Sequence, residues 1–159
     1  MNKAVFLDRD GIINVERKDY VKTVEEFVLI EGIFDAIKII NEKGYLVIII
    51  TNQSVINRGI IDIQKLKEIH EYFLKQATKN NAKIDGIYFC PHKPDENCEC
   101  RKPKPGMILR ALKDFQIDVK KSVMFGDSDK DIEAAKKAGC KGVLVKDTSL
   151  REIIEKYLN

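Results

Sequence analysis

Hydrophobic positions along the chain alternate between short, nearly continuous runs and longer stretches with one apolar helical face. Ala4 to Leu7 reads as a buried strand, and Ile33, Phe34, Ile37 and Ile40 share a helical face that Gly44 stops. The run Tyr45 to Ile50 predicts a strand covered on both faces. Asp62 stands where it can cap a helix whose buried stripe includes Leu66, Ile69, Phe73 and Ala77. Ile84 to Cys90 is the next strand, followed by a loop rich in proline, cysteine and charge. Pro105 suits the first turn of a helix running to about Phe115. Lys121 to Phe125 reads as a strand, Asp129 to Ala138 as a helix closed by Gly139, and Gly142 to Val145 as a strand, with Ser149 capping the last helix.

The predicted order is therefore βαβαβαβαβα. It implies an α/β fold of three layers, Rossmann-like, with a mainly parallel sheet between helices. No linker rich in Pro, Gly or Ser and no internal repeat divides the chain, so residues 1–159 are expected to form one domain. Between Asp10 and Thr51 there is room for a loop and a helix but not for a cap domain. Ligands of open α/β sheets sit beyond the carboxyl ends of the strands, where strand order reverses. The strand ends are where chemistry is to be sought.

Of the 159 residues, 44% are hydrophobic and 33% charged, which excludes a mainly disordered chain. The longest apolar run is far short of a bilayer span and the start does not read as a signal peptide, so a cytoplasmic protein is expected, with no membrane partner. Lys and Arg total 28 against 25 Asp and Glu; this near balance argues against general nucleic-acid binding.

Asp8 and Asp10 are one residue apart and would repel if both side chains shared a face. A divalent cation would relieve that, and Asp127 from another strand end would add a carboxylate oxygen of the kind that suits Mg²⁺. The plainer alternative is a pair of surface acids. Asp8, Asp10, Asp127 and Asp131 at two strand ends strengthen the metal reading. Thr51 and Asn52 directly follow a buried strand and could cradle a phosphate or merely make a turn. Lys102, held before Pro103, could neutralise a phosphoryl group or be one solvated lysine among many. Cys90, His92, Cys98 and Cys100 offer three thiolates and an imidazole, a closed set for a structural Zn²⁺; reduced cysteines or a redox pair are the alternatives. Such a zinc would hold Arg101 and Lys102 in place. His70 and Cys140 have no partners in sequence and read as ordinary helix or core residues.

Together these strings resemble the haloacid dehalogenase superfamily of phosphotransferases, and within it the zinc-containing heptose bisphosphate and histidinol phosphate phosphatase group. The matching strings are Phe6-Leu7-Asp8-Arg9-Asp10-Gly11, Thr51-Asn52-Gln53-Ser54, Cys90-Pro91-His92, Cys98-Glu99-Cys100-Arg101-Lys102-Pro103 and Gly126-Asp127 with Asp131. The resemblance implies a Mg²⁺-dependent phosphatase in which Asp8 is the nucleophile and Asp10 the acid and base. Thr51 and Lys102 would complete the catalytic set. Mg²⁺ would be held by Asp8, the Asp10 carbonyl and Asp127, with Asp131 orienting this shell from behind. The substrate would be a small phosphorylated metabolite and the protein a monomer.

Specificity would come from loops around an open mouth: Glu16, Arg17, Lys18, Asp19 and Tyr20; Asn52, Gln53, Ser54 and Arg58; and the zinc loop with Arg101. Arg9 and Ser128 are further expected substrate contacts. The cations Lys18, Arg58 and Arg101 favour a substrate with a second phosphate, and Lys104-Pro105-Gly106-Met107 after the zinc loop resembles the heptose branch. Heptose 1,7-bisphosphate is therefore expected before histidinol phosphate, whose amine would prefer acids. The short zinc loop resembles the histidinol branch, Ser128 stands where some relatives carry a lysine, and the Glu16–Tyr20 loop is one residue longer. A zinc knuckle on a non-catalytic RNA-binding domain is the reading from another class, but it leaves the clustered acids without a purpose and lacks a stacking aromatic in the loop.

Overall fold

The computed structural model describes residues 1–158. Five strands, β1 (Ala4–Leu7), β2 (Leu46–Asn52), β3 (Gly86–Cys90), β4 (Val123–Gly126) and β5 (Lys141–Leu144), form one sheet in the order β3-β2-β1-β4-β5. Every neighbouring pair is parallel. Helices α1 (Ile33–Glu42), α2 (Ile63–Lys79), α3 (Gly106–Asp114), α4 (Asp129–Lys137) and α5 (Leu150–Tyr157) make the crossovers and cover the faces. Among the described residues no helix is long and apolar enough to cross a membrane.

The two-residue period of the strands divides the core in two. Val5, Leu7, Val47 and Ile49 face α1, α2 and α5 through Ile37, Phe73 and Ile154; Ala4, Phe6, Ile48 and Ile50 face α3 and α4 through Met107, Ala111 and Ala134. Burial on both sides explains why these strands read as unbroken apolar runs, each large side chain contributing about 1.5–3 kcal/mol.

Helix caps follow their chemistry. The Asp62 carboxylate accepts from Lys65 N–H, and the Ser149 hydroxyl from Glu152 N–H. Several boundaries differ from expectation. Thr51 and Asn52 do not follow β2 but are its last residues, held in the ladder opposite Phe89 and Cys90. Lys121 belongs to a single 3-10 turn, Val119–Lys121, and β4 starts at Val123. Pro105 sits just before α3 rather than within it.

Strand order reverses at β1. The chain moves outward through β2 and β3, then returns to place β4 on the other side of β1. The segments leaving β1 and β4 thus part from one another and open a crevice.

Candidate active site

Asp8 leaves the end of β1 and Asp127 the end of β4, adjacent parallel strands, so topology alone brings the two carboxylates side by side. Carboxylate oxygens of Asp8, Asp127 and Asp131 lie within 4.8 Å of one another. Two glycines permit the approach. A Cβ on Gly11, where φ is +95°, would lie 1.9 Å from Asp127 Oδ2, and one on Gly126 would lie 2.3 Å from Asp131 Cβ.

Lys102 enters this cluster from the loop after β3. Its Nζ donates to Asp8 Oδ1 at 2.7 Å, Asp131 Oδ1 at 2.6 Å and the Ile50 carbonyl at 3.0 Å, and the side chain is 4% exposed. Both backbone polar groups of Lys102 are held by one side chain: its N–H donates to Asn52 Oδ1 and its carbonyl accepts from Asn52 Nδ2. The Lys102 ammonium is held above its usual pKa by Asp8 and Asp131 against the effect of burial. Burial is the largest influence on Asp8 and lifts its carboxyl to about 7, with Lys102 opposing and Asp131 assisting. Burial and Asp131 raise Asp127 as well.

Asp10 is arranged differently. Its Oδ1 accepts from Arg9 Nη2 at 2.8 Å and Asn14 Nδ2 at 2.9 Å, and its Oδ2 from Gln53 Nε2 at 2.9 Å. Burial acts to raise the Asp10 carboxyl, but Arg9, Asn14 and Gln53 outweigh it and hold the group below its usual range.

Two sets of residues fit metal ions. Asp8, Asp127 and Asp131 face a single ammonium, so the local charge is negative, and oxygen donors of this kind suit Mg²⁺. Both Asp131 oxygens are already bonded, to Lys102 and to the N–H and hydroxyl of Ser128, so Asp131 fits an orienting position and Asp8 with Asp127 the direct one. The Asp10 side chain lies outside the cluster. At the second set, Cys90 Sγ is 3.7 Å from Cys98 Sγ, 2.9 Å from Cys100 Sγ and 3.3 Å from His92 Nδ1, and all the cysteines are free. A zinc tetrahedron has edges of about 3.5–3.8 Å; one of these separations matches and the others are shorter, so the four donors converge on one point and would part slightly to hold an ion there. Burial pushes the Cys90 and Cys100 thiols up, whereas backbone N–H bonds from Arg101 and Cys100 outweigh it at Cys98 and bring that thiol down to about 7, so Cys98 is the one of the three inclined to ionise.

A cleft of about 610 Å³ opens over Asp8. One wall carries Glu16, Arg17, Lys18 and Tyr20, another Asn52, Gln53, Ser54 and Arg58, and the zinc loop contributes Arg101. The expected cations Lys18, Arg58 and Arg101 therefore share one mouth. Contacts tie these walls together: the Arg58 guanidinium lies over the Tyr20 ring and Asn57 bonds Glu96 of the zinc loop, while within the walls Arg58 bonds Ser54 Oγ and Arg101 the His92 carbonyl.

Several expected contacts fall elsewhere. Thr51 is fully buried, its hydroxyl accepting from Gln53 Nε2, so in this arrangement it braces the residue that holds Asp10. Asp19 is turned outward, paired with Arg17 and Lys22, and Arg17 is also paired with Glu26. Arg9 does line the cleft, but it is 1% exposed, with its guanidinium between Asp10, His70 and the Phe27 ring. His70 is a buried residue of α2, as a helix or core residue is expected to be, and its Nε2 also lies 3.1 Å from Arg9 Nη1. Asn14, Asp129 and Lys130 were not anticipated; the first holds Asp10 and the other two line the cleft on the α4 side. A charged dipeptide after Ser128 was the available signal for the latter.

Residues 99–153 match the HAD-hydrolase-like family model. The chain is 46% identical over 145 residues to the D-glycero-beta-D-manno-heptose-1,7-bisphosphate 7-phosphatase of Helicobacter pylori strain J99, covering 91% of this chain and 83% of that one. It is 46% identical over 132 residues to the D-glycero-alpha-D-manno-heptose-1,7-bisphosphate 7-phosphatase of Campylobacter jejuni, covering 83% and 75%. Among solved structures, the D,D-heptose 1,7-bisphosphate phosphatase of B. bronchiseptica, complexed with magnesium and phosphate, superposes with a TM-score of 0.87 at 33% identity, covering 99% of this chain and 88% of that one.

Proposed function

The chain belongs to the haloacid dehalogenase-like phosphatases, in the group of the heptose bisphosphate phosphatases, and from that premise we propose that it removes the 7-phosphate of D-glycero-D-manno-heptose 1,7-bisphosphate. The observation that carries this reading is the placement of Asp8 at the floor of a cleft whose rim holds Lys18, Arg58 and Arg101. One phosphoryl group meets Asp8 and Lys102, while the rim cations neutralise a second, more distant phosphate.

Asp8 is the nucleophile: a carboxylate oxygen bonds to phosphorus in line as the bond to the sugar oxygen breaks, giving an aspartyl-phosphate. Asp10 donates its proton to the departing alkoxide and then takes one from the water that attacks phosphorus and releases Asp8. The donors around Asp10 favour its anion, which suits the base of the second step; the proton it passes on in the first arrives with the substrate, on the monoanion of the phosphate ester. Lys102 keeps Asp8 oriented and offsets phosphoryl charge. Asp8 and Asp127 would hold Mg²⁺, with Asp131 behind them; such an ion supplies further charge neutralisation. Cys90, His92, Cys98 and Cys100 would hold a structural Zn²⁺ that fixes the loop carrying Arg101 and Lys102. In this reading residues 1–159 act as one capless domain, cytoplasmic and monomeric, and substrate is selected by the mouth loops.

Phosphate release is measured on both anomers of the heptose bisphosphate and on histidinol phosphate, with Mg²⁺ added or chelated. The proposal expects Mg²⁺-dependent turnover with the highest kcat/KM on a heptose bisphosphate. A preference for histidinol phosphate would overturn the substrate, and turnover unaffected by Asp8→Asn would overturn the nucleophile.

A further inference from the structure

Arg9 carries a full charge at 1% exposure, yet only two of its guanidinium nitrogens are satisfied and Nε has no partner. Nη2 donates to Asp10 Oδ1 at 2.8 Å, and Nη1 faces His70 Nε2 at 3.1 Å. A guanidinium can only donate, so His70 must accept at Nε2 and carry its own proton on Nδ1. The ring comes from the middle of α2, is buried, and is packed at 58° to Phe89, with centroids 6.4 Å apart. Burial and Arg9 keep the imidazole neutral, with its pKa brought down to about 3. Without His70 the guanidinium would keep one directional tether, its bond to Asp10, and could pivot about it over the Phe27 ring.

We infer that His70 is a positioning residue: by accepting from Arg9 it fixes the guanidinium that aims the Asp10 carboxyl at the leaving oxygen. The inference rests on the reading of Asp10 as the acid. No residue of α2 lines the cleft, so the helix reaches the chemistry only indirectly, through this imidazole and Arg9.

Because Asp10 protonates the leaving oxygen, its misalignment penalises a sugar alkoxide, which needs the proton, far more than nitrophenolate, which departs without one. The readout is the ratio of kcat/KM on the sugar bisphosphate to kcat/KM on p-nitrophenyl phosphate, taken on the same sample so that any inactive fraction cancels. Acid catalysis contributes 10²–10⁴-fold and is sensitive to alignment, so His70→Leu is expected to lower this ratio about tenfold. His70→Gln, whose amide oxygen can accept from Arg9, is expected to keep it within about twofold. Arg9→Met cuts the same path at its centre and should lower the ratio as His70→Leu does, so the outcome does not hinge on one variant folding. An unchanged ratio in His70→Leu or Arg9→Met, while Asp10→Asn collapses it, overturns the inference. If Asp10→Asn leaves the ratio unchanged, the acid reading fails and the inference falls with it.

Discussion

Replacing Gly11 by alanine tests the geometry on which the whole site depends. The substitution adds one methyl group at a backbone with φ of +95° and places it 1.9 Å from Asp127 Oδ2 and 2.7 Å from Asp127 Cγ. Adopting the left-handed region costs an alanine about 1 kcal/mol, a purely local strain. The steric conflict is separate. To regain an ordinary contact the carboxylate must retreat by more than about 1 Å, several times the ±0.2 Å within which metal–ligand distances hold. A displacement of this size at a reacting centre costs roughly 10²-fold in rate. Gly32→Ala is the matched control, because φ is +80° there and an added Cβ meets nothing within 4 Å. Phosphate release titrated with Mg²⁺ should show the half-saturating concentration of Gly11→Ala raised at least about tenfold and kcat/KM lowered about a hundredfold, while Gly32→Ala loses stability alone. Equal Mg²⁺ dependence in the two variants would refute the placement of Asp127 beside Asp8.

Two further outcomes follow from the same structure. Cys98→Ser should lower bound zinc, measured by elemental analysis, and cost roughly 2 kcal/mol, a fall in Tm of about 4–8 °C for a chain of this size, whereas Asp8→Asn keeps the zinc. The His70 pKa is depressed to about 3 in the folded protein, against about 6.5 when unfolded, so its contribution to stability is complete above about pH 6.5 and is lost as pH falls toward 3. Urea unfolding of the wild type should therefore weaken on acidification with a share of up to about 1.4 kcal/mol per pH unit from His70, and His70→Gln should flatten that slope; parallel curves would count against a buried neutral imidazole.

Much of this architecture is written in local pattern. The caps Asp62 and Ser149 and the apolar stripe from Leu66 to Ala77 act within a turn or two of chain, so sequence alone locates them. The Cys-His cluster is legible for a similar reason, since its donors lie within one loop. The end of β2 was misjudged because Thr51 and Asn52 are polar, and only pairing with Phe89 and Cys90 makes them strand. Lys121 looked like strand because the tight turn before Val123 leaves no apolar signature. The largest gap concerns Asp10. Its partners Asn14, Gln53 and, through Arg9, His70 come from three separate segments, and nothing local to His70 distinguishes it from any histidine on an apolar helix face. Arg9 reads from sequence as a substrate contact because it stands between two acids at a strand end; its burial is intelligible only once Asp10 and Phe27 are seen around it.

The Asn52 side chain binds Lys102 as a neighbouring strand would, donating to its carbonyl and accepting from its N–H. One amide thus extends the sheet by a single residue into the loop between β3 and α3, whose regular structure is the single 3-10 turn Pro94–Glu96. The ammonium is consequently moored twice, once to the ladder through this amide and once to the thiol cluster through Cys100 and Arg101. A change in the loop between Cys90 and Cys100 therefore reaches the ammonium through one mooring, while the asparagine keeps its grip on the lysine.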